Sequence, residues 1–105
     1  MVQTERLYIL FYEVVDDYLA KRAPFRDQHL TYARQAYERG ELTLAGALAT
    51  PADGAVLVFS TKEAAETFPK SDPYVINGLV TTWRIREWMT IVWETVSPRP
   101  ANELE

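Results

Sequence analysis

The sequence has no cysteine, which excludes disulfide frameworks, thiolate zinc sites, iron–sulfur clusters and cysteine nucleophiles. It has a single histidine, His29, so a zinc or iron centre within one chain would rest on carboxylates, and no metal is expected. Basic charge is also short. Eleven Lys and Arg against 15 Asp and Glu leave a formal charge of −4 and a pI near 5.0, the reverse of a phosphate-tracking surface, so no nucleic-acid partner is expected. Glycine is sparse, and Gly46, Gly54 and Gly78 form neither a phosphate-binding loop nor a dinucleotide fingerprint. Neither Ser60 nor Ser71 lies in the Gly-x-Ser-x-Gly setting of a serine hydrolase. No apolar run approaches the ~20 residues that cross a bilayer. Met1-Val2-Gln3-Thr4-Glu5-Arg6 leads straight into a strand-like segment instead of a signal peptide. The expectation is a cytoplasmic protein with no membrane partner.

The 105 residues that are present are 48% hydrophobic and 25% charged, the composition of one ordinary globular domain. That domain is expected over residues 1–96, with a polar tail over 97–105 containing Pro98 and Pro100. Leu7 to Val14 is apolar at nearly every position and reads as a strand covered on both faces. The stretch through Pro24 reads as a loop with at most a short helical turn. From Phe25 to Arg39, Phe25, His29, Ala33 and Ala36 share one helical face, and Gly40 stops the helix. Leu42 to Ala49 and Ala55 to Ser60 flank turn residues and predict a hairpin. Ala45, Gly46, Ala47 and Ala49 give its first strand little bulk, leaving room for an overlying helix or a ligand. A helix from Lys62 to Phe68, capped by Thr61, is expected to break at Pro69 into a short helical piece over Asp72 to Asn77. Leu79 to Glu94 alternates as one long strand or two abutting ones.

This order is the α+β ferredoxin-like βαββαβ plan, a four-stranded antiparallel sheet with helices on one face. Leu7, Ile9 and Phe11 face away from Tyr8, Leu10, Tyr12 and Val14, leaving the helix-free face too apolar for water and predicting a homodimer. Trp83, Trp88 and Trp93 are too widely spaced to stack bases and fit core or interface packing.

His29 is the one side chain that ordinarily titrates near neutrality, which makes it the candidate general acid or base. A core histidine satisfied by a hydrogen bond is the competing reading. Asp72, before Pro73, suits the cap of a short helix. If it also reaches His29, it orients the imidazole and selects its tautomer. Arg26, one turn before His29, could bind a substrate anion or pair with an acid. Arg84 and Arg86 share one side of the last strand, where they could grip a carboxylate or enolate or form cross-strand salt bridges.

Taken together, Phe25-Arg26-Asp27-Gln28-His29-Leu30, Gly40 ahead of a strand, Leu44-Ala45-Gly46-Ala47-Leu48, and Asp72-Pro73-Tyr74-Val75 followed by Asn77-Gly78-Leu79-Val80 resemble a YciI-like (YCII-related domain) protein. The resemblance runs from Leu7 to about Val92. It implies a ferredoxin-like subunit in a dimeric α+β barrel and an active site built from a His and an Asp, here His29 and Asp72. By the same match Arg26 and Tyr74 become pocket residues. One branch of that family removes chloride from a chlorinated hydroxyhydroquinone, while most members have no assigned reaction, so the resemblance names no substrate. The leading expectation is a cofactor-independent enzyme in which His29, oriented by Asp72, moves a proton on a small cyclic or aromatic hydroxylated metabolite, with Arg26 or Arg86 offsetting the charge that develops. The rival expectation is a non-catalytic dimeric module that binds a small molecule or another protein. A haem or quinol monooxygenase rests on fold analogy alone.

Overall fold

Side-chain alternation along the first strand sets the layout. The structure, a computed structural model, describes residues 2–93. In β1 (Val2–Val14), Leu10 and Tyr12 are buried beneath the helices, whereas Ile9 and Phe11 on the opposite side are only half-buried. β2 (Leu42–Ala47), β3 (Gly54–Phe59) and β4 (Val80–Trp93) complete an antiparallel sheet in the order β2-β3-β1-β4. Between the strands lie α1 (Tyr18–Lys21), α2 (Arg26–Glu38), α3 (Lys62–Ser71) and α4 (Pro73–Ile76). The arrangement is the expected ferredoxin-like α+β fold.

Register builds the core layer by layer. Leu10 stands between Leu57 and Ile85, and Tyr8 is opposite Phe59, so one face of the sheet presents a continuous apolar row to the helices. Ala33 and Ala36 of α2 and Ala65 and Phe68 of α3 close over that row. The alanines, with no side chain beyond Cβ, allow the helices to approach the strands closely.

Several elements depart from what local pattern predicts. β1 begins at Val2, well before Leu7, because its polar start pairs in register with β4 from Met89 to Trp93; the partner strand, not the segment's own pattern, decides. β4 is one continuous strand. The loop before Pro24 instead forms α1 and a 3-10 turn over Ala23–Phe25, so α2 starts at Arg26. β2 stops at Ala47, where Leu48 N–H donates to the Gly54 carbonyl and closes the hairpin loop. α3 runs through Pro69 to Ser71. Pro69 is fully buried, and the packing of its ring offsets the helix hydrogen bond it cannot make. Of the core or interface packing expected for the tryptophans, the core alternative does not hold: Trp83, Trp88 and Trp93 are 40%, 47% and 69% exposed. The polar tail expected over 97–105 lies outside the described residues.

Gly54 shows how tightly the hairpin meets β1. A Cβ there would stand 2.8 Å from the Tyr12 carbonyl oxygen and 3.4 Å from Leu48 Cδ1, whereas one on Gly46 would meet nothing within 4 Å. Gly54→Ala is expected to lower unfolding free energy by about 1–3 kcal/mol, and Gly46→Ala to change it by less than about 0.5 kcal/mol. Urea unfolding of both variants checks the contrast.

Candidate functional site

The break between α3 and α4 falls at Asp72-Pro73, since the residue before a proline is held out of the helical conformation. Asp72 is extended, with φ −68° and ψ 122°, and caps α4 by accepting from Tyr74 N–H at 3.1 Å, with Pro73 at the first helical position. Such a cap commonly stabilises a helix by about 1 kcal/mol. Asp72 is nevertheless completely buried, and a buried carboxylate is costly unless hydrogen bonds replace its water. Two further donors supply them. His29 Nδ1 lies 2.7 Å from Asp72 Oδ1, and the Tyr12 hydroxyl donates to Oδ2 at 2.7 Å. Three donors converging on one acceptor-only group give Nδ1 the proton in the neutral imidazole and leave Nε2 as an acceptor.

Packing fixes the ring as firmly as the hydrogen bond does. His29 stacks on Tyr74 with centroids 3.8 Å apart and planes 7° apart, and Phe68 meets it edge-on at 6.5 Å. The helical position of His29, on the same face as Ala33 and Ala36, points it under α2 toward the sheet. Asp72 controls rotation within the ring plane and Tyr74 controls the plane itself. Nε2 makes no hydrogen bond among the described residues, and His29 lines a cleft of about 170 Å³.

The cleft lies between α2 and the sheet. Ala45, Gly46 and Ala47 of β2 and Ala55 and Leu57 of β3 form its floor, and Tyr18, Arg22, Arg26 and Tyr74 contribute polar groups. The small residues of β2 thus leave room for a ligand beneath α2. Among the described residues no three His, Asp or Glu side chains converge, so the chemistry on offer is one imidazole, two guanidiniums and several phenols.

Those phenols stay protonated. Burial, reinforced by the adjacent Asp72 carboxylate, holds the Tyr12 phenol far above the ordinary tyrosine range. Burial also raises Tyr18 and Tyr74, with Arg22 pulling the other way on both and Arg26 on Tyr74. The Tyr74 hydroxyl is buried and has no hydrogen-bond partner of good geometry among the described residues, although the Arg26 guanidinium is near enough to affect its ionisation.

Of the residues predicted from sequence, His29, Asp72, Arg26 and Tyr74 come together. Arg86 does not. It pairs with Ile9 across β1 and β4 and therefore occupies the helix-free face, opposite the cleft. Arg84 shares that face, its guanidinium carbon 4.3 Å from the Phe11 ring centroid. Sequence reasoning missed Tyr12, Tyr18 and Arg22. A tyrosine at an inward position of a central strand needs a buried partner for its hydroxyl, and that was a usable signal for Tyr12. Nothing local marked Arg22, which reaches the cleft only because Asp17 takes a left-handed conformation, φ 59°, and turns the chain into α1.

The chain matches the YCII-related domain over residues 6–89. It belongs to the YCII-related domain family. No protein of curated function matches it in sequence. Among solved structures it is similar to 5-chloro-2-hydroxyhydroquinone dehydrochlorinase (TftG) from Burkholderia phenoliruptrix AC1100, solved in complex with 2,5-dihydroxybenzoquinone. The TM-score is 0.64 and the identity 16%, over 78% of this chain and 92% of that one. At that identity the likeness establishes a shared fold. Within this family member, His29 and Asp72 stand on separate elements that the fold joins.

Tyr12→Phe removes one of the three donors to Asp72 and is expected to cost about 1–3 kcal/mol. The same residue gives the alkaline stability profile its sign. Unfolded tyrosine loses its proton near pH 10, whereas folded Tyr12 keeps it to higher pH, so its contribution is complete below about pH 10 and is lost as pH rises further. Urea midpoints at about pH 8 and pH 11 should fall more steeply in the wild type than in Tyr12→Phe.

Proposed function

We propose that this YCII-related protein is a cofactor-independent acid/base enzyme acting on a small hydroxylated ring. The observation that carries the reading is the 2.7 Å bond between His29 Nδ1 and buried Asp72, with Nε2 left to a cleft of single-ring size. Nε2 takes a proton from a ring hydroxyl to give an enolate or phenolate, and the Asp72 carboxylate offsets the imidazolium that forms. Arg26 provides the positive partner for the developing oxyanion. Return of the proton to a ring carbon completes a tautomerisation. Where that carbon bears a halogen, its protonation makes it tetrahedral, and removal of a proton from a second ring hydroxyl then drives the halide out, so that hydrogen halide is lost and a quinone remains. A relative in fold that acts on a chlorinated hydroxyhydroquinone supports ring chemistry of this kind.

Hydroxylated single-ring compounds, chlorinated hydroquinones included, assayed by NMR in deuterated water test the reading. The wild type is expected to turn over or exchange at least one of them, with His29→Ala at least about 100-fold slower and Asp72→Asn also slowed, while circular dichroism shows both variants folded. Exchange unaffected by either substitution, or rings bound by wild type and His29→Ala alike with no exchange in either, contradicts catalysis.

The helix-free face supports a homodimer. Trp88 stands opposite Leu7, and Ile9 and Phe11 continue the same side of β1, making an apolar surface that a second copy covers. Sedimentation velocity at micromolar concentration should show a dimer that Trp88→Arg dissociates; a wild-type monomer contradicts the assignment.

A further inference from the structure

An enolate formed during turnover needs one positive partner, yet the cleft has two. Arg22 and Arg26 both line it, none of its lining residues is Asp or Glu, and neither arginine makes an ion pair among the described residues. Asp27, beside Arg26 in sequence, borders a hollow on the outer face of α2 together with Gln28 and Thr31. The Asp72 carboxylate lies behind His29 and is taken up by three donors, so the two guanidiniums, neither in an ion pair, are the charges that flank the cavity, in a chain of net charge −4, and they favour an anion there.

Arg22 is held in place. Its guanidinium carbon is 5.4 Å from the Tyr18 ring centroid, and Tyr18 meets Tyr74 edge-on at 5.7 Å. The stacking shares one wall with the ring that supports His29. Tyr74, 2% exposed, brings a hydroxyl without a partner to the same cavity. A buried phenol without a protein partner is a group that a ligand oxygen would satisfy.

Size limits the ligand. The cleft measures about 170 Å³, and a cavity of roughly 150 Å³ accepts benzene. A single ring lying over Ala45, Gly46 and Ala47 accounts for most of that volume. A carboxylate is the compact anion that matches the guanidinium fork.

We propose that the cleft takes a single-ring hydroxy-carboxylate, its carboxylate held between Arg22 and Arg26 and its hydroxyl directed to His29 Nε2 and the Tyr74 hydroxyl. The role of the hydroxyl rests on the acid/base reading; the preference for a ring anion stands without it.

Calorimetric titration with gentisate and its uncharged amide, gentisamide, in low-salt buffer tests the assignment. The wild type is expected to bind gentisate at least about tenfold more tightly than gentisamide, the scale of a charge-assisted contact. Arg22→Gln and Arg26→Gln should each shrink that preference to within about twofold, and Arg22→Lys should restore part of it. Both arginines are solvent-accessible, and circular dichroism confirms that the variants fold. Equal binding of the two probes, binding of neither, or a preference unchanged in both Gln variants overturns the proposal. A preference for gentisate in the wild type that both Gln variants lose, alongside an absence of turnover, upholds the ring-anion site while removing the acid/base role, so the two conclusions fail separately.

Discussion

Burying the Asp72 carboxylate is the constraint around which the helical side of this molecule is arranged. Left unpaired, that group would oppose folding by several kcal/mol. The chain answers with two distant donors and one local one: Tyr12 on the central strand, His29 on α2, and the Tyr74 amide at the start of α4. The Tyr12 and His29 bonds pin the start of α4 to the sheet and to α2, so the cost of burial is met by contacts that also define the tertiary arrangement. A carboxylate that served only as a helix cap could sit at the surface.

The two faces of the sheet carry different duties. Inward residues of β1 alternate between filling the core, as Leu10 does, and supporting the site, as Tyr12 does. Outward residues present apolar and basic groups away from the cleft. This separation explains why Arg86 cannot serve the site that Arg26 serves: a period of two residues assigns it to the far side of the strand, whatever its chemistry. It also means that contacts made by the helix-free face and chemistry in the cleft can be altered independently.

Much of this was legible from local pattern. The alternation of β1, the helical face shared by His29 and Ala33, the glycine stop at Gly40 and the Asp72-Pro73 start of α4 each have a short-range physical cause, and together they specify the order of elements. Long-range features were not legible. The extension of β1 back to Val2 depends on register with Trp93, and no property of Val2-Gln3-Thr4 announces it. The meeting of His29 with Asp72 spans 43 positions, and only the resemblance of the two motifs to a family made it an expectation. Arg22 lay in a stretch read as a loop, and its place in the cleft follows from the backbone turn at Asp17. Pro69 illustrates the opposite error: a strong local breaker was overridden by burial of its ring.

The central claim is that Asp72 holds His29 as the Nδ1–H tautomer with Nε2 facing the cleft. Nitrogen-15 NMR of the lone imidazole, recorded where the ring is neutral, reads that tautomer directly. The account predicts an Nδ1–H form in the wild type that gives way to a mixture of tautomers in Asp72→Asn. An Nε2–H form in the wild type, or a spectrum that Asp72→Asn leaves unchanged, would contradict it.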